Sequence, residues 1–160
     1  MALQSPRKWA VRSTTSDMVT NIWFSLGDNW NSFGCDVSET LLQQTANLIV
    51  DYGLKDLGYY YVILDDCWSA GRNGSDNNTL LPDLEKFPNG MKRVADDIHD
   101  LGLGFGMYSS AGSYTCGRFA GSLGYEEVDA NTWASKFSTS VVRLHLGFSL
   151  DCIFHWRHNF

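Results

Sequence analysis

Nowhere does the sequence hold an apolar run close to the roughly 20 residues that a bilayer-spanning helix needs, so a soluble chain with no membrane partner is expected. Basic residues are outnumbered, 12 Lys and Arg against 18 Asp and Glu, for a formal charge of -6. Without a basic stripe to neutralise phosphates, nucleic acid is excluded as a partner, and so is an anionic membrane surface. Met1 to Ser16 contains Arg7, Lys8 and Arg12 but lacks the apolar core of a signal peptide. Cysteines are few, and Cys35, Cys67, Cys116 and Cys152 form no CxxC pair. That argues against a redox motif or a zinc ribbon and leaves disulfides as the reading for an exported chain. Cys152, His155 and His158 are spaced too tightly for a common zinc pattern, so no metal and no other cofactor is expected.

What is present is the composition of one globular domain: 160 residues, 44% of them apolar. Aromatic residues reach 14%. Trp and Tyr faces can cover the apolar side of a sugar ring, although core packing is their commoner use. Asn73-Gly74-Ser75 and Asn77-Asn78-Thr79 are acceptor triplets for N-glycosylation, which matter only in a secretory compartment.

The chain is organised around Tyr59-Tyr60-Tyr61-Val62-Ile63-Leu64-Asp65-Asp66-Cys67-Trp68. An apolar run without alternation predicts a strand covered on both faces, as in a parallel sheet wrapped by helices. The carboxyl end of such a strand is where α/β proteins place ligands, so Asp65 and Asp66 are positioned for binding or catalysis. Before it, residues 1–20 read as an irregular arm, Ile22 to Leu26 as a strand, and Gly27 to Cys35 as a loop in which Trp30 is exposed at a site. Asp36 and Glu39 resemble a capping box, followed by Leu41, Leu42, Thr45, Leu48 and Ile49 at helical spacing up to Gly53. A loop rich in Gly, Ser and Asn runs from Ser69 to Thr79. Met91, Val94, Ala95, Ile98 and Leu101 then define a second helix from Asn89, stopped by Gly102. His99 lies off that face and reads as a solvated histidine. Gly104 to Ser109 is a third strand with Tyr108 near its end, and a helix starts near Tyr125 with Glu126, Glu127 and Asp129 favouring its N-terminal dipole. Alternating β and α at this spacing predicts a parallel sheet with right-handed crossovers, either doubly wound or part of a barrel.

Five motifs in order carry a resemblance: Asp28 to Cys35, Leu64-Asp65-Asp66-Cys67-Trp68, Phe87-Pro88-Asn89-Gly90, Gly106-Met107-Tyr108-Ser109 and Gly121 to Glu126. Together they resemble the melibiase-type alpha-galactosidases, with agreement from about Gly27 to Ser135. The resemblance implies the N-terminal portion of a (β/α)8 barrel, incomplete here, within an enzyme that removes terminal alpha-linked galactose from oligosaccharides with retention. It implies secretion, Asp65 and Asp66 on galactose hydroxyls, Trp30 and Tyr108 lining the pocket, and a Cys35–Cys67 disulfide. Cys116 is then expected to stay unpaired, with Cys152 as an unforced substitute partner.

The chain departs from the family pattern at three places. Leu26-Gly27-Asp28-Asn29-Trp30 lacks the first tryptophan of Met-Gly-Trp-Asp-Asn-Trp. After Ser135 the Lys-Tyr-Asp-Asn-Cys strand with its nucleophilic aspartate is missing, its places falling on Val142, Leu144 and Leu146. No later segment supplies the acid/base. Residues 21–135 are therefore expected to be the first βα units and 136–160 an aberrant tail, the mark of a shifted frame or retained intron. Val142 and Leu144, alternating with Arg143 and His145, still allow a strand in the fourth position. The expected function is that of an alpha-galactosidase family member inactive as this chain alone, with no catalytic residue assigned. The alternatives are a galactose-binding remnant and a non-functional truncated product.

Overall fold

The computed structural model describes residues 26–135, 137 and 141–145. The arm of residues 1–20, the start of the first expected strand and the Cys152, His155, His158 group lie outside the described residues. Four strands form one parallel sheet: β1 (Leu26–Asp28), β2 (Tyr61–Leu64), β5 (Gly104–Ser110) and β6 (Val141–His145), in that order. The registers run Leu26 to Tyr61, Leu64 to Met107 and Tyr108 to Arg143. Sequential order in a wholly parallel sheet requires a crossover between each pair. These are supplied by α2 (Glu39–Asp51), α3 (Gly90–Asp100) and α4 (Glu126–Ser135).

The sheet is covered where the apolar run demanded it. Val62 and Leu64 of β2 and Phe105 and Met107 of β5 share a core with Leu42, Ala46 and Ile49 of α2 and with Met91, Val94, Ala95 and Ile98 of α3. Each fully buried aliphatic or aromatic side chain contributes roughly 1.5–3 kcal/mol. Ile63 lies between Val62 and Leu64 and is 1% exposed, so the opposite face is closed too. Strand alternation puts Tyr108, itself buried, on that second face with Ile63.

Both long helices end as expected, with Gly53 and Gly102 at φ of 66° and 69° just past them. The start of α2 differs. Its cap is Ser38, whose hydroxyl accepts from the Leu41 amide at 3.2 Å, and not Asp36. Glu39 instead accepts from the Asn89 side chain and backbone at 2.9 and 3.2 Å, joining the amino ends of α2 and α3.

Three further differences concern two loops and one helical residue. Asp28 belongs to β1, and Trp30–Phe33 form a short helix, α1, so Trp30 is half-buried against the core rather than exposed. The stretch after Trp68 is a hairpin of β3 (Ser69–Asn73) and β4 (Thr79–Pro82), with a bulge between Ser69 and Gly71. The many Gly, Asn and Ser residues that read as loop are its bulge and turn. His99 is half-buried rather than fully solvated.

Candidate functional site

All parallel strands deliver their carboxyl ends to one side, and the site is built there. Asn29 follows β1, Asp65 and Asp66 follow β2, and Tyr108 lies one residue beyond the Leu64 to Met107 pair on β5. Trp30 opens α1 next to Asn29. The structure thus brings the four residues singled out from the sequence, Trp30, Asp65, Asp66 and Tyr108, to one end of one sheet.

A relay of short bonds holds the carboxylates. The Asp65 amide donates to Asn29 Oδ1 at 2.8 Å, the Asp66 amide to Asp65 Oδ1 at 2.7 Å, and the Cys67 amide to Asp66 Oδ1 at 2.8 Å. The second oxygen of Asp66 accepts from the Gly117 amide at 2.8 Å. Asp65 is 9% exposed and Asp66 2%. Buried carboxylates need such donors, because an unbonded charge would lose its hydration without return. Each oxygen offers more than one lone pair, so Asp66 can still accept from a ligand hydroxyl.

Cys67 turns the chain away from the site at φ 69°, a left-handed value that costs a non-glycine residue of order 1–3 kcal/mol and persists only where surroundings hold it. Two things hold it. A disulfide joins Cys67 to Cys35 across a Cα separation of 5.2 Å, and Lys86 Nζ donates to the carbonyls of Cys35 and Cys67 at 3.1 and 2.9 Å. The expected pairing is therefore present. Cys116 corrects the accompanying expectation: it is disulfide-bonded, with its partner outside the described residues, and none of the described cysteines is free. Trp68 closes the turn by donating from Nε1 to the Tyr108 carbonyl at 3.0 Å and meeting Phe137 edge-on at 6.2 Å.

Sequence reasoning missed the roles of Asn29 and Gly117. Asn29 is buried, and its Nδ2 has no hydrogen-bond partner among the described residues. Its place beside Trp30 in the first motif was the available signal. Gly117 acts through its backbone amide, and a Cβ there would come 2.8 Å from Asp66 Oδ2. Such a requirement for a missing side chain leaves no chemical signature in a glycine-rich loop.

Glu126, away from the carboxylate pair, has a displaced pKa. Glu126 is held below the usual carboxylate range because the Gly124 amide donates to its Oε1 at 3.0 Å. A groove of about 350 Å³ opens between α2 and α3, where Gln43 Nε2 donates to Asp97 at 2.6 Å and Arg93 pairs with Asp97 at 2.8 Å. It belongs to the helical layer and contains none of the four site residues.

The chain is an α/β domain of parallel βα units with two carboxylates at the carboxyl end of β2, the side of the sheet on which such folds hold ligands. Residues 27–151 match the family model described as alpha galactosidase A, and the chain belongs to that family. An alpha-galactosidase of Lachancea cidri is 66% identical over 108 residues, covering 68% of this chain and 23% of that protein. Alpha-galactosidase 1 of Saccharomyces cerevisiae is 59% identical over 109 residues, again 68% of this chain and 23% of the relative. The chain thus spans about a quarter of the length of the curated relatives it matches. Among solved structures, an alpha-galactosidase from Saccharomyces cerevisiae with raffinose superposes with a TM-score of 0.72 at 48% identity, over 80% of this chain and 29% of that one. Alpha-galactosidase I from Mortierella vinacea does so at 0.70 and 52%, over 73% and 29%. Among the described residues no helix is long and apolar enough to cross a membrane.

Proposed function

We propose that this chain forms the first βα units of a (β/α)8 barrel and carries the hydroxyl-binding side of a galactose pocket. In this reading Asp65 and Asp66 accept hydrogen bonds from galactose hydroxyls, while Trp30 and Tyr108 line the ring. The whole protein is an alpha-galactosidase that releases terminal alpha-linked galactose from oligosaccharides with retention. The single observation that carries the proposal is the bonded, buried pair Asp65 and Asp66 at the end of β2, beside Tyr108 on the neighbouring strand. The relative with raffinose, a sugar ending in alpha-linked galactose, supports the substrate class. The Cys35–Cys67 disulfide supports an oxidising, secretory setting.

The 160 residues alone bind without turnover. Retention requires a nucleophilic carboxylate and an acid/base about 5–5.5 Å apart across the glycosidic bond. Asp65 and Asp66 are successive residues tied to backbone amides, and the places where the family writes its nucleophile strand hold Val142, Leu144 and Leu146. Galactose titration of the purified chain, beside release of a chromophore from an aryl alpha-galactoside, tests both halves. Expected are saturable binding, no turnover, and an affinity about 10- to 150-fold lower in Asp65→Asn, the loss of one charge-assisted bond of about 1.5–3 kcal/mol. Unchanged affinity removes Asp65 from the site. A chain folded by circular dichroism that binds no galactose favours a product without function, and turnover abolished by Asp65→Ala overturns the inactivity.

A further inference from the structure

The hairpin of β3 and β4 supplies none of the residues assigned to galactose, yet its turn carries both acceptor triplets, Asn73-Gly74-Ser75 and Asn77-Asn78-Thr79. The fold distinguishes the two asparagines. Asn73 closes β3 opposite Thr79, is half-buried, and its Oδ1 accepts from the Ser75 amide at 3.1 Å and the Ser75 hydroxyl at 2.7 Å. The carboxamide oxygen and the hydroxyl of the first triplet are thus bonded to each other at the strand end, which fixes the half-buried Asn73 side chain there. Asn77 lies in the stretch 74–78, all of it exposed, at φ 51°. Asparagine accepts that left-handed value more readily than most residues. The hydroxyl of its triplet is tucked in, with Thr79 buried and bonded to Asp76 Oδ2 at 3.0 Å. A bulky substituent on Asn77 therefore displaces no buried contact, whereas one on Asn73 crowds the strand end.

A second observation concerns the compartment. Cys35 and Cys67 are joined, Cys116 is also disulfide-bonded, and none of the described cysteines is free. Disulfides persist where the surroundings are oxidising, which is also where lipid-linked oligosaccharide donors meet asparagine acceptors.

We propose that Asn77 is an N-glycosylation site and that Asn73 is not. In the transfer, Asn77 Nδ2 forms a bond to the anomeric carbon of a lipid-pyrophosphate-linked oligosaccharide. The anomeric C–O bond to the pyrophosphate breaks, and the amide gives up one proton. The proposal rests on the secretory setting above, not on the galactose-binding reading, and galactose titration remains a separate readout.

The test translates the full chain, preceded by a cleavable secretion leader, with microsomes, and scores only product protected from added protease. Expected is a mobility shift of one glycan, removed by an amidase that converts glycosylated asparagine to aspartate, with the conversion mapped to Asn77 by mass spectrometry. The shift is lost in Asn77→Asp, a change that keeps the turn's left-handed tolerance, and is kept in Asn73→Asp. Protected product without a shift overturns the proposal, as does a shift that survives Asn77→Asp and disappears in Asn73→Asp. A glycan on each asparagine overturns the selectivity.

Discussion

Arg72 holds the hairpin to the rest of the molecule, and its loss is the most informative perturbation of the fold. Its guanidinium makes a two-pronged pair with Asp129 of α4 at 2.8 and 2.7 Å. It also donates to the carbonyls of Asn78 and Gly121 at 2.8 and 2.7 Å and lies 4.1 Å from the centre of the Tyr125 ring. Side-chain exposure is 12% for Arg72 and 1% for Asp129, so both charges are out of water. Breaking a buried pair by removing one partner costs about 3–5 kcal/mol, because the remaining charge is left without compensation. The two halves are not equivalent. Without Asp129, Arg72 retains two carbonyls and an aromatic face, whereas the Asp129 carboxylate has no other side-chain hydrogen bond among the described residues. Arg72→Met should therefore cost about 3–5 kcal/mol and Asp129→Asn less, toward about 2–3 kcal/mol, since its amide oxygen can still accept one bond. Urea unfolding reads this directly. With a slope of about 1–3 kcal/mol per molar, Arg72→Met should lower the midpoint by more than about 1 M at unchanged slope. A cost below about 1 kcal/mol, or Asp129→Asn more damaging than Arg72→Met, would refute the reasoning.

Removing the Cys35–Cys67 bond by Cys35→Ser opens a loop of sequence separation 32, for which chain entropy assigns about 3–4 kcal/mol; an unchanged midpoint in the same urea assay would show that Lys86 alone suffices to hold the turn. Gly117→Ala puts a Cβ 2.8 Å from Asp66 Oδ2 and 3.2 Å from the Phe119 ring, so it should push the amide off the carboxylate and weaken galactose binding. The check is titration beside a thermal melt, with Tm expected to move less than about 4 °C; full affinity would show that the Gly117 bond is dispensable. Glu126 stabilises through its ionised form, because its folded value is lowered by the Gly124 amide. Its contribution is complete above the ordinary value of 4.5 and is lost as pH falls through the lower folded value. The stability gap between wild type and Glu126→Gln should hold near neutrality and close below pH 4.5, and a gap independent of pH would contradict it.

What could be read from the sequence followed from periodicity and from strong stops. The β2 run, the α2 and α3 faces and the glycines past both helices obey local rules that tertiary contacts did not override, and Asp65 and Asp66 were legible because charge ends an apolar strand abruptly. The misread parts were those in which one residue type serves two purposes. Gly71 bulges a strand at φ 116°, and Asn77 and Asn78 turn it at 51° and 57°, yet the same letters spell loop. Glu39 had the spacing of a capping box, but a capping partner fifty residues away in Asn89 is invisible to spacing. The tail carries the same lesson further. β6 pairs with β5 from Gly106 to Ser110, the place of the next strand in a growing parallel sheet, although the segment lacks the family's lysine, aspartate and cysteine. Backbone pairing asks only for an extended segment able to donate and accept along a ladder, which alternation at Val142 to His145 satisfies. Catalysis asks for a carboxylate at one register position, and no amount of pairing supplies one. A fourth strand is therefore evidence that the sheet extends, and the assay for turnover, not the sheet, decides whether chemistry came with it.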